Sequence, residues 1–224
     1  MTTASATEIS LPPGFTSRSV DPDADSPAVT ALCETVAMAT DGFSDATLQM
    51  VRESYNSPGF DPETDARLVF DAAGTLVGVS EFYDGSGLHI APFVFVRVLP
   101  GALDAGIGEA LLSWAAERGQ RAVSLADPTL RVALHTNTSG ANEQMRETLD
   151  RAGWRQERVS WEMEIELTRA PAVSALPPPM ELRAARRHQD EKAVYEAEEE
   201  IFADHFGFVP RSFDSWMQFN TGLV

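Results

Sequence analysis

Cysteine and basic side chains are both scarce in this sequence of 224 residues. Cys33 is the single cysteine, which excludes an internal disulfide and a cysteine-based metal cluster and is typical of a reducing compartment. Lysine and arginine number 17 against 34 aspartates and glutamates, a net charge of −17. Because non-specific nucleic-acid binding depends on basic side chains that neutralise phosphates, this charge argues against nucleic acids and anionic lipid surfaces as partners.

Long hydrophobic runs are also missing. The longest apolar run, residues 90–96, is too short for a bilayer, which takes about 20 residues. The first eight residues have neither the basic leader nor the apolar core of a signal peptide. No metal-ligand spacing, P-loop or Ser-His-Asp order is present in the sequence. We therefore expect a soluble cytoplasmic protein without a metal site, and its hydrophobic fraction of 43% suffices for a packed core.

Two short patterns recur at one distance along the chain. Leu-Pro-Pro begins at Leu11 and again at Leu176, and a Gly-Phe pair begins at Gly42 and again at Gly207, each time 165 residues later. This coincidence indicates an internal repeat, of which only the start of a second copy fits before residue 224. The chain is then either a piece of a longer tandem protein or carries a reduced second copy. The predicted organisation is a flexible N-terminus (1–13), a first unit (14–167), a Pro/Ala-rich linker (168–179) and an incomplete second unit (180–224).

Hydrophobic periodicity predicts an α/β (α+β) fold, a mixed sheet with helices on both faces. The clearest strand is residues 159–167, in which apolar side chains alternate with Ser160 and three glutamates, so that one face is core and the other solvent. Ser26 is expected to cap the first helix and Gly119 to end the third. The expected strands are 15–20, 67–70, 75–83, 90–99, 130–135 and 159–167, and the expected helices are 26–39, 45–55, 105–118 and 141–152.

The segment after the strand 90–99 carries the strongest chemical signal. That strand is apolar except for Arg97, and a short loop then leads to Gly106 and Gly108 at the start of a helix. The first turn of a helix has unpaired N–H groups and a positive dipole end, and glycines let an anion approach the backbone. The pattern predicts a phosphate-binding loop. The alternatives are that the glycines only allow close packing and that Asp104 caps the helix.

This order of elements and this loop resemble the GCN5-related N-acetyltransferase (GNAT) superfamily over residues 14–167. In that family the loop reads Gln/Arg-X-X-Gly-X-Gly/Ala after a strand that ends Val-X-Pro, and the matching residues here are Val98-Leu-Pro and then 103–108. A second stretch, from Asn137 to Gly153-Trp154, looks like the family's asparagine, helix and Gly-Phe ending. The second start, with residues 202–207, is similar to tandem acetyltransferases of the mycothiol synthase type, in which the second domain commonly carries the chemistry.

The resemblance implies a GNAT-like, mostly antiparallel sheet, acetyl-CoA as cosubstrate, and transfer of its acetyl group to an amine of a small molecule or peptide. For Asn137, capping of the following helix is the alternative to contact with the CoA arm. The cofactor-binding positions that the resemblance implies are Val96, Val98, Leu103, Asp104, Ala105, Gly106, Ile107, Gly108, Glu109, Asn137 and Asn142.

Several positions depart from the family pattern. Leu103 replaces the polar Gln/Arg, and Leu149 stands where the family often has a tyrosine that protonates the departing thiolate. The Asp104 carboxylate near a dianionic pyrophosphate would cost about 1–4 kcal/mol for charges about 4 Å apart. These departures leave a second interpretation open, a catalytically inactive CoA-binding or scaffolding module of a tandem GNAT protein.

Acetyl transfer to an amine needs a base that takes the ammonium proton, and N–H donors that hold the developing oxyanion. Glu81 and His89 are the ionisable residues nearest the strand that the resemblance places beside the thioester, and Glu81 is the first choice. His135 on the next strand is a further ionisable residue there. The alternative is that Glu81 lies on an exposed strand face and His89 in a hairpin loop, without a chemical role.

The second unit is rich in aromatic side chains that need cover. We expect it to pack on the first unit or to self-associate as a homodimer. The residues concerned include Phe202, Phe206, Phe208, Phe213 and Trp216.

Overall fold

The computed structural model describes residues 9–85, 87–172 and 175–219. The first eight residues of the predicted flexible N-terminus, two residues of the linker and the last five of the second unit lie outside the described residues. No helix in these ranges is both long enough and apolar enough to cross a membrane. The elements are β1 (Thr16–Arg18), α1 (Pro22–Thr40), α2 (Leu48–Tyr55), α3 (Pro62–Asp65), β2 (Ala66–Phe70), β3 (Leu76–Tyr83), β4 (Phe93–Val98), α4 (Pro100–Leu103), α5 (Ile107–Leu125), β5 (His135–Thr136), α6 (Glu143–Arg151), α7 (Glu191–Ile201) and α8 (Phe213–Phe219).

The five strands form one sheet in the order β1-β2-β3-β4-β5. The first four strands are antiparallel neighbours, and β5 lies parallel to β4. The turn between β2 and β3 is closed by the Asp71 N–H, which donates to the Thr75 carbonyl oxygen at 3.0 Å. The predicted mixed, mostly antiparallel sheet is confirmed.

Helices cover both faces of this sheet, because alternate residues of a strand point to opposite sides. On one face, Val94 and Val96 of β4 pack with Leu111 of α5. On the other face, Leu68 of β2 packs with Val29 of α1. The two cores hold the central strands β3 and β4 in place, so that their ends form a firm base for a site.

Helix α1 begins earlier than the sequence predicts. Asp21 caps it, since its side chain accepts the N–H groups of Asp23 and Ala24 at 3.1 Å each, and Pro22 occupies the first helical position. Ser26 lies inside the helix, where its hydroxyl donates to the Pro22 carbonyl oxygen. The prediction that Ser26 caps α1 is therefore wrong, because Asp21-Pro22 offers the same cap and first-turn pair one turn earlier.

Helix α5 passes through Gly119 and ends only at Leu125, so the prediction that Gly119 ends it is wrong. Gly119 is buried, and a Cβ built on it would lie 3.5 Å from a methyl group of Leu134. Its backbone does not take the left-handed conformation that a glycine gives to a helix end. Here the glycine serves the packing of the helix rather than its termination.

The predicted strand 159–167 is not a strand in the structure, and the face expected to be core is exposed. Trp161 and Met163 are 83% and 90% exposed. Strand β5 is also shorter than expected. The predicted strand was 130–135, but β5 covers only His135–Thr136, and residues 130–134 are not part of the sheet. A strand needs a neighbouring edge to pair with, and none of the described residues supplies one to this segment.

Helices α7 and α8, in the predicted second unit (180–224), pack on each other. Trp216 is buried, and its indole N–H donates to Glu198 at 2.8 Å, while the rings of Tyr195 and Phe213 lie 5.4 Å apart. The Phe206 ring remains 55% exposed, although the Arg158 guanidinium of the first unit lies over it at 4.7 Å. The second unit thus covers only some of its own aromatic side chains.

Candidate active site

Strands β4 and β5 pair over two residues and then separate. Phe93 is opposite His135 and Val94 is opposite Thr136. Beyond these pairs β4 continues to Val98, whereas the chain after Thr136 turns into the loop that leads to α6. The side of β4 that faces β5 is therefore without a strand partner at residues 96–98 in the described part of the chain. Its N–H and C=O groups can bind an extended ligand instead.

A cleft of about 900 Å³ opens where the strands separate. The end of β4 forms its floor, the loop 137–140 and α6 form one side, and the end of α1 contributes Thr40 and Asp41. Residues 154–160 form a further wall. The loop is tied to α1 by the Ser139 hydroxyl, which donates to Asp41 at 2.5 Å. Four predicted binding residues line this cleft: Val96, Val98, Asn137 and Asn142.

Asn142 also shapes α6. Its side-chain oxygen accepts the N–H of Met145 at 3.0 Å and caps the helix. The alternative that Asn137 caps this helix is therefore wrong, and Asn137 stays exposed in the loop on the cleft.

The predicted phosphate-binding loop lies at the start of α5. Gly106 has a φ of +84° and precedes the first helical residue, Ile107, without any side-chain cap. The left-handed conformation explains why a glycine stands here. The first N–H groups of α5 have no carbonyl partner within the helix, which is the condition under which a helix start can bind an anion. The helix begins at Ile107 and not at Ala105, and Asp104 does not cap it, so that alternative is wrong.

Gly108 has a different role from Gly106. A Cβ built on it would lie 2.8 Å from the Thr148 methyl group and 2.9 Å from Leu103. Both distances are shorter than real contacts, so glycine is required for α6 to pack closely on α5. For this residue the structure supports the packing interpretation that the sequence left open.

Two carboxylates lie near the start of α5. Asp104 accepts a hydrogen bond from Gln144 at 3.3 Å, and Glu109 accepts two from Arg151 at 3.0 and 2.7 Å. The pairing with Arg151 offsets the charge of Glu109, whereas Asp104 has only a neutral hydrogen-bond partner in the described structure. None of the predicted residues 103–109 lines the cleft itself. The cleft and the loop are thus adjacent to the same strand end but are separate surfaces.

Glu81 is buried on β3, on the sheet face that α1 and α2 cover. It is only 4% exposed, so the alternative of an exposed strand face is wrong. Burial raises the pKa of its carboxyl group above the usual range, and the Tyr83 hydroxyl, which donates to it at 2.9 Å, opposes this shift. Burial and the nearby Glu81 also raise the pKa of Tyr83. Glu81 and Tyr83 thus form a hydrogen-bonded pair on the sheet face under α1 and α2, and neither of them lines the cleft.

Arg97 lies in the cleft lining and interacts electrostatically with the buried Glu81. Its side chain lines the cleft and its guanidinium lies over the Phe95 ring at 3.8 Å. Burial lowers the pKa of Arg97, while the charges of Glu81 and of Asp41 partly offset this effect. Sequence reasoning did not select Arg97 or Asp41, although Arg97 was visible as the one charged residue in an apolar strand.

The two histidines near the site differ in their placement. His89 lies in the loop after β3, where its Nδ1 is 2.7 Å from an Asp84 oxygen, and it does not line the cleft. His135 on β5 does line the cleft. The hairpin-loop placement of His89 agrees with the alternative interpretation of that residue.

We compared the chain with known proteins by sequence and by structure. No family model and no curated protein matches the sequence. Among solved structures, the GCN5-related N-acetyltransferase from Sphaerobacter thermophilus matches with a TM-score of 0.78 and 25% sequence identity, over 95% of this chain and 65% of that one. A structure described as an acetyltransferase from Salmonella typhimurium, with its cofactor acetyl-CoA, matches at 0.48 and 17% identity, over 62% and 79% of the two chains. A GNAT-family acetyltransferase from Streptococcus pneumoniae matches at 0.47 and 18% identity, over 62% and 83%.

The present chain spans 65% of the length of the S. thermophilus protein. A coverage of 95% of this chain means that the likeness continues past residue 167 and includes residues on both sides of the segment 168–179. The chain has the fold of the GCN5-related N-acetyltransferases, and this likeness supports its place in that superfamily.

Proposed function

We propose that residues 14–167 form an acyl-CoA-dependent N-acyltransferase domain that transfers the acetyl group of acetyl-CoA to an amine of a small molecule or peptide. The observation that carries the proposal is the separation of β4 from β5 beside a cleft of about 900 Å³. It occurs in a chain whose likeness to a GCN5-related N-acetyltransferase covers nearly all of its length.

The residues present fit acetyl-CoA at two places. The open edge of β4 at residues 96–98 offers backbone groups that match the amides of the pantetheine arm. The start of α5 offers the left-handed Gly106 and uncapped N–H groups for the pyrophosphate. Asp104 weakens the second place, because its carboxylate repels an anion there.

The proposed chemistry is direct attack of the amine on the thioester. Acetyl-CoA supplies the activated acetyl group. The β4 backbone orients it, and an N–H group of this strand holds the developing oxyanion. Glu81 acts as the base in its ionised form: the Tyr83 hydroxyl passes its proton to Glu81 over 2.9 Å and takes one from the ammonium group through a water molecule, because neither side chain lines the cleft. The amine nitrogen then forms a bond to the acetyl carbon, the C–S bond breaks, and CoA leaves as its thiolate. The raised pKa of Glu81 suits this role, because it brings the pKa of the base closer to neutral pH.

The proposed acceptor side is the end of α1 and the loop after it. Asp41 and Asp45 line the cleft there, beside Arg97. A carboxylate pair attracts a cationic amine, and Arg97 keeps the net charge of the site low enough for the amine to lose its proton. This arrangement supports an amine acceptor rather than an alcohol.

We propose further that the chain has a tandem organisation, with the linker 168–179 and the incomplete second unit 180–224. The recurrence of two motifs after 165 residues and the extension of the structural likeness past the linker support this. The single cysteine supports a cytoplasmic location.

The test is release of free CoA thiol from acetyl-CoA in the presence of a panel of polyamines, amino sugars and peptide amines. With an accepted amine, Glu81→Gln should lower kcat by about 10²–10⁴-fold, because the base is lost while the side chain keeps its shape. Glu34→Gln, an exposed change on α1, is the matched control and should leave kcat within twofold. A loss with His89→Gln alone would move the base to the loop after β3. Binding of acetyl-CoA without turnover on any amine would instead favour the inactive module.

A further inference from the structure

The segment 159–167 presents an apolar stripe to solvent. Met163 is 90% exposed and Ile165 is 79% exposed, values that are unusual for such large side chains. Because the members of the stripe alternate along the segment, they would all lie on one face of an extended strand. The stripe consists of Val159, Trp161, Met163, Ile165 and Leu167, with exposed fractions of 52%, 83%, 90%, 79% and 57%.

The backbone of this segment is as open as its side chains. Within the described ranges, residues 159–167 form no backbone hydrogen bond with another residue. A row of free N–H and C=O groups beside a row of apolar side chains is a template for pairing with another strand. The segment therefore lacks a neighbour both for its backbone and for its stripe.

The opposite face of the segment decides which neighbour fits. Glu162, Glu164 and Glu166 alternate with the stripe and carry three negative charges. A second copy of the segment, paired antiparallel over its full length, would place Glu162 opposite Glu164 twice, and a parallel pairing in register would place each glutamate beside its own copy. Like charges that face each other across strands are destabilising. The net charge of −17 on each chain adds repulsion between copies.

We propose that residues 159–167 are a docking strand for an extended polypeptide segment that has apolar side chains at alternate positions and lysine or arginine at the positions between them. Such a segment pairs with the backbone of 159–167, covers the stripe with its apolar face, and sets its basic side chains opposite the three glutamates. Opposite charges across a strand pair are favourable. This surface borders the cleft, which residues 159, 160 and 162 help to line, and its recognition of a peptide goes beyond the proposed acetyl transfer.

The test uses two synthetic nine-residue peptides with blocked ends, one of alternating valine and lysine and one of alternating valine and glutamate, each with a fluorescent label. Fluorescence anisotropy on the full chain should show the lysine peptide binding at least tenfold more tightly than the glutamate peptide. The double variant Met163→Asp/Ile165→Asp should weaken the lysine peptide at least tenfold. Leu182→Asp, which changes an apolar side chain that is 86% exposed outside the stripe, should leave it within twofold.

Charge reversal separates a specific site from general attraction to an acidic protein. Replacing Glu162, Glu164 and Glu166 with lysine should reverse the preference between the two peptides. The control triple variant Glu34→Lys/Glu117→Lys/Glu181→Lys changes the net charge equally at exposed positions elsewhere and should keep the preference for the lysine peptide. The proposal is overturned if neither peptide binds, if both triple variants act alike, or if light scattering shows a dimer that Ile165→Asp dissociates, because a second copy would then occupy the stripe.

Discussion

The proposed base Glu81 depends on the fold for its burial and for its hydrogen-bond partner. Both faces of β3 carry apolar residues, Val79 on the face of Glu81 and Phe82 on the other, so the sequence predicted the strand without showing which face of it would be covered. Only the packing of α1 and α2 on that face buries Glu81. For the same reason the sequence could select Glu81 as a base but could not foresee the Tyr83 hydroxyl that donates to it.

The raised pKa of Glu81 has a consequence for stability. Above the ordinary pKa of about 4.5, the unfolded chain releases this proton while the folded chain still holds it. The free energy of unfolding therefore falls as the pH rises from about 4.5 to the raised pKa. Glu81→Gln lacks this loss, so its stability relative to the natural chain should increase over that pH interval and then level off. Urea unfolding at a series of pH values between 4 and 8 measures the difference.

Glu34→Gln is the control for this experiment. Glu34 is exposed on α1, one of the helices that cover the sheet face of Glu81. The stability of this variant relative to the natural chain is the baseline from which the effect of Glu81→Gln at each pH is measured. If the natural chain gained stability over Glu81→Gln as the pH rose, the carboxyl group would have a lowered pKa, and the burial argument would fail.

At the scale of elements, the order of strands and longer helices from β1 to α6 was predictable because each has its own hydrophobic period, whereas the four-residue helices α3 and α4 are too short to show one. The ends of the elements were not predictable. Gly119 looked like a helix end, but helix α5 continues through it because Leu134 and Phe82 pack against this face. Residues 159–167 have the pattern of a strand but not the neighbour that a strand needs, and a pattern within one segment carries no information about its partner.

Two glycine substitutions test the described course of α5. Gly119→Ala should stabilise the chain by about 0.5–1 kcal/mol, because alanine loses less backbone entropy in a helix and its Cβ would make ordinary contacts of 3.5–3.8 Å. Gly106→Ala should destabilise it by about 1–2 kcal/mol, because the φ of +84° is unfavourable for alanine. Thermal unfolding of the two variants measures both effects. Destabilisation by Gly119→Ala would contradict either the helical course of α5 at this residue or the ordinary contacts of its Cβ with Leu134 and Phe82.

At the scale of the whole molecule, the fold follows from the order of the elements, but the cleft does not. It exists because β4 and β5 separate after two paired residues, and it combines four distant parts of the chain. Val96, Val98, Asn137 and Asn142, which the family resemblance grouped as binding positions, all line this cleft. The sequence could not show that Asp41, the residue that follows α1, reaches the same cleft, because that contact depends on how the helix packs over the sheet.

The most direct measurement is a calorimetric titration of the full chain with acetyl-CoA, with thermal unfolding as the second readout. The account predicts one binding site per chain. At about 100 times Kd the ligand should add about 2.7 kcal/mol of stability, which raises the Tm by about 5–10 °C. Binding heat that is absent, together with an unchanged Tm at millimolar acetyl-CoA, would contradict the proposal that the cleft between β4 and β5 is a cosubstrate site.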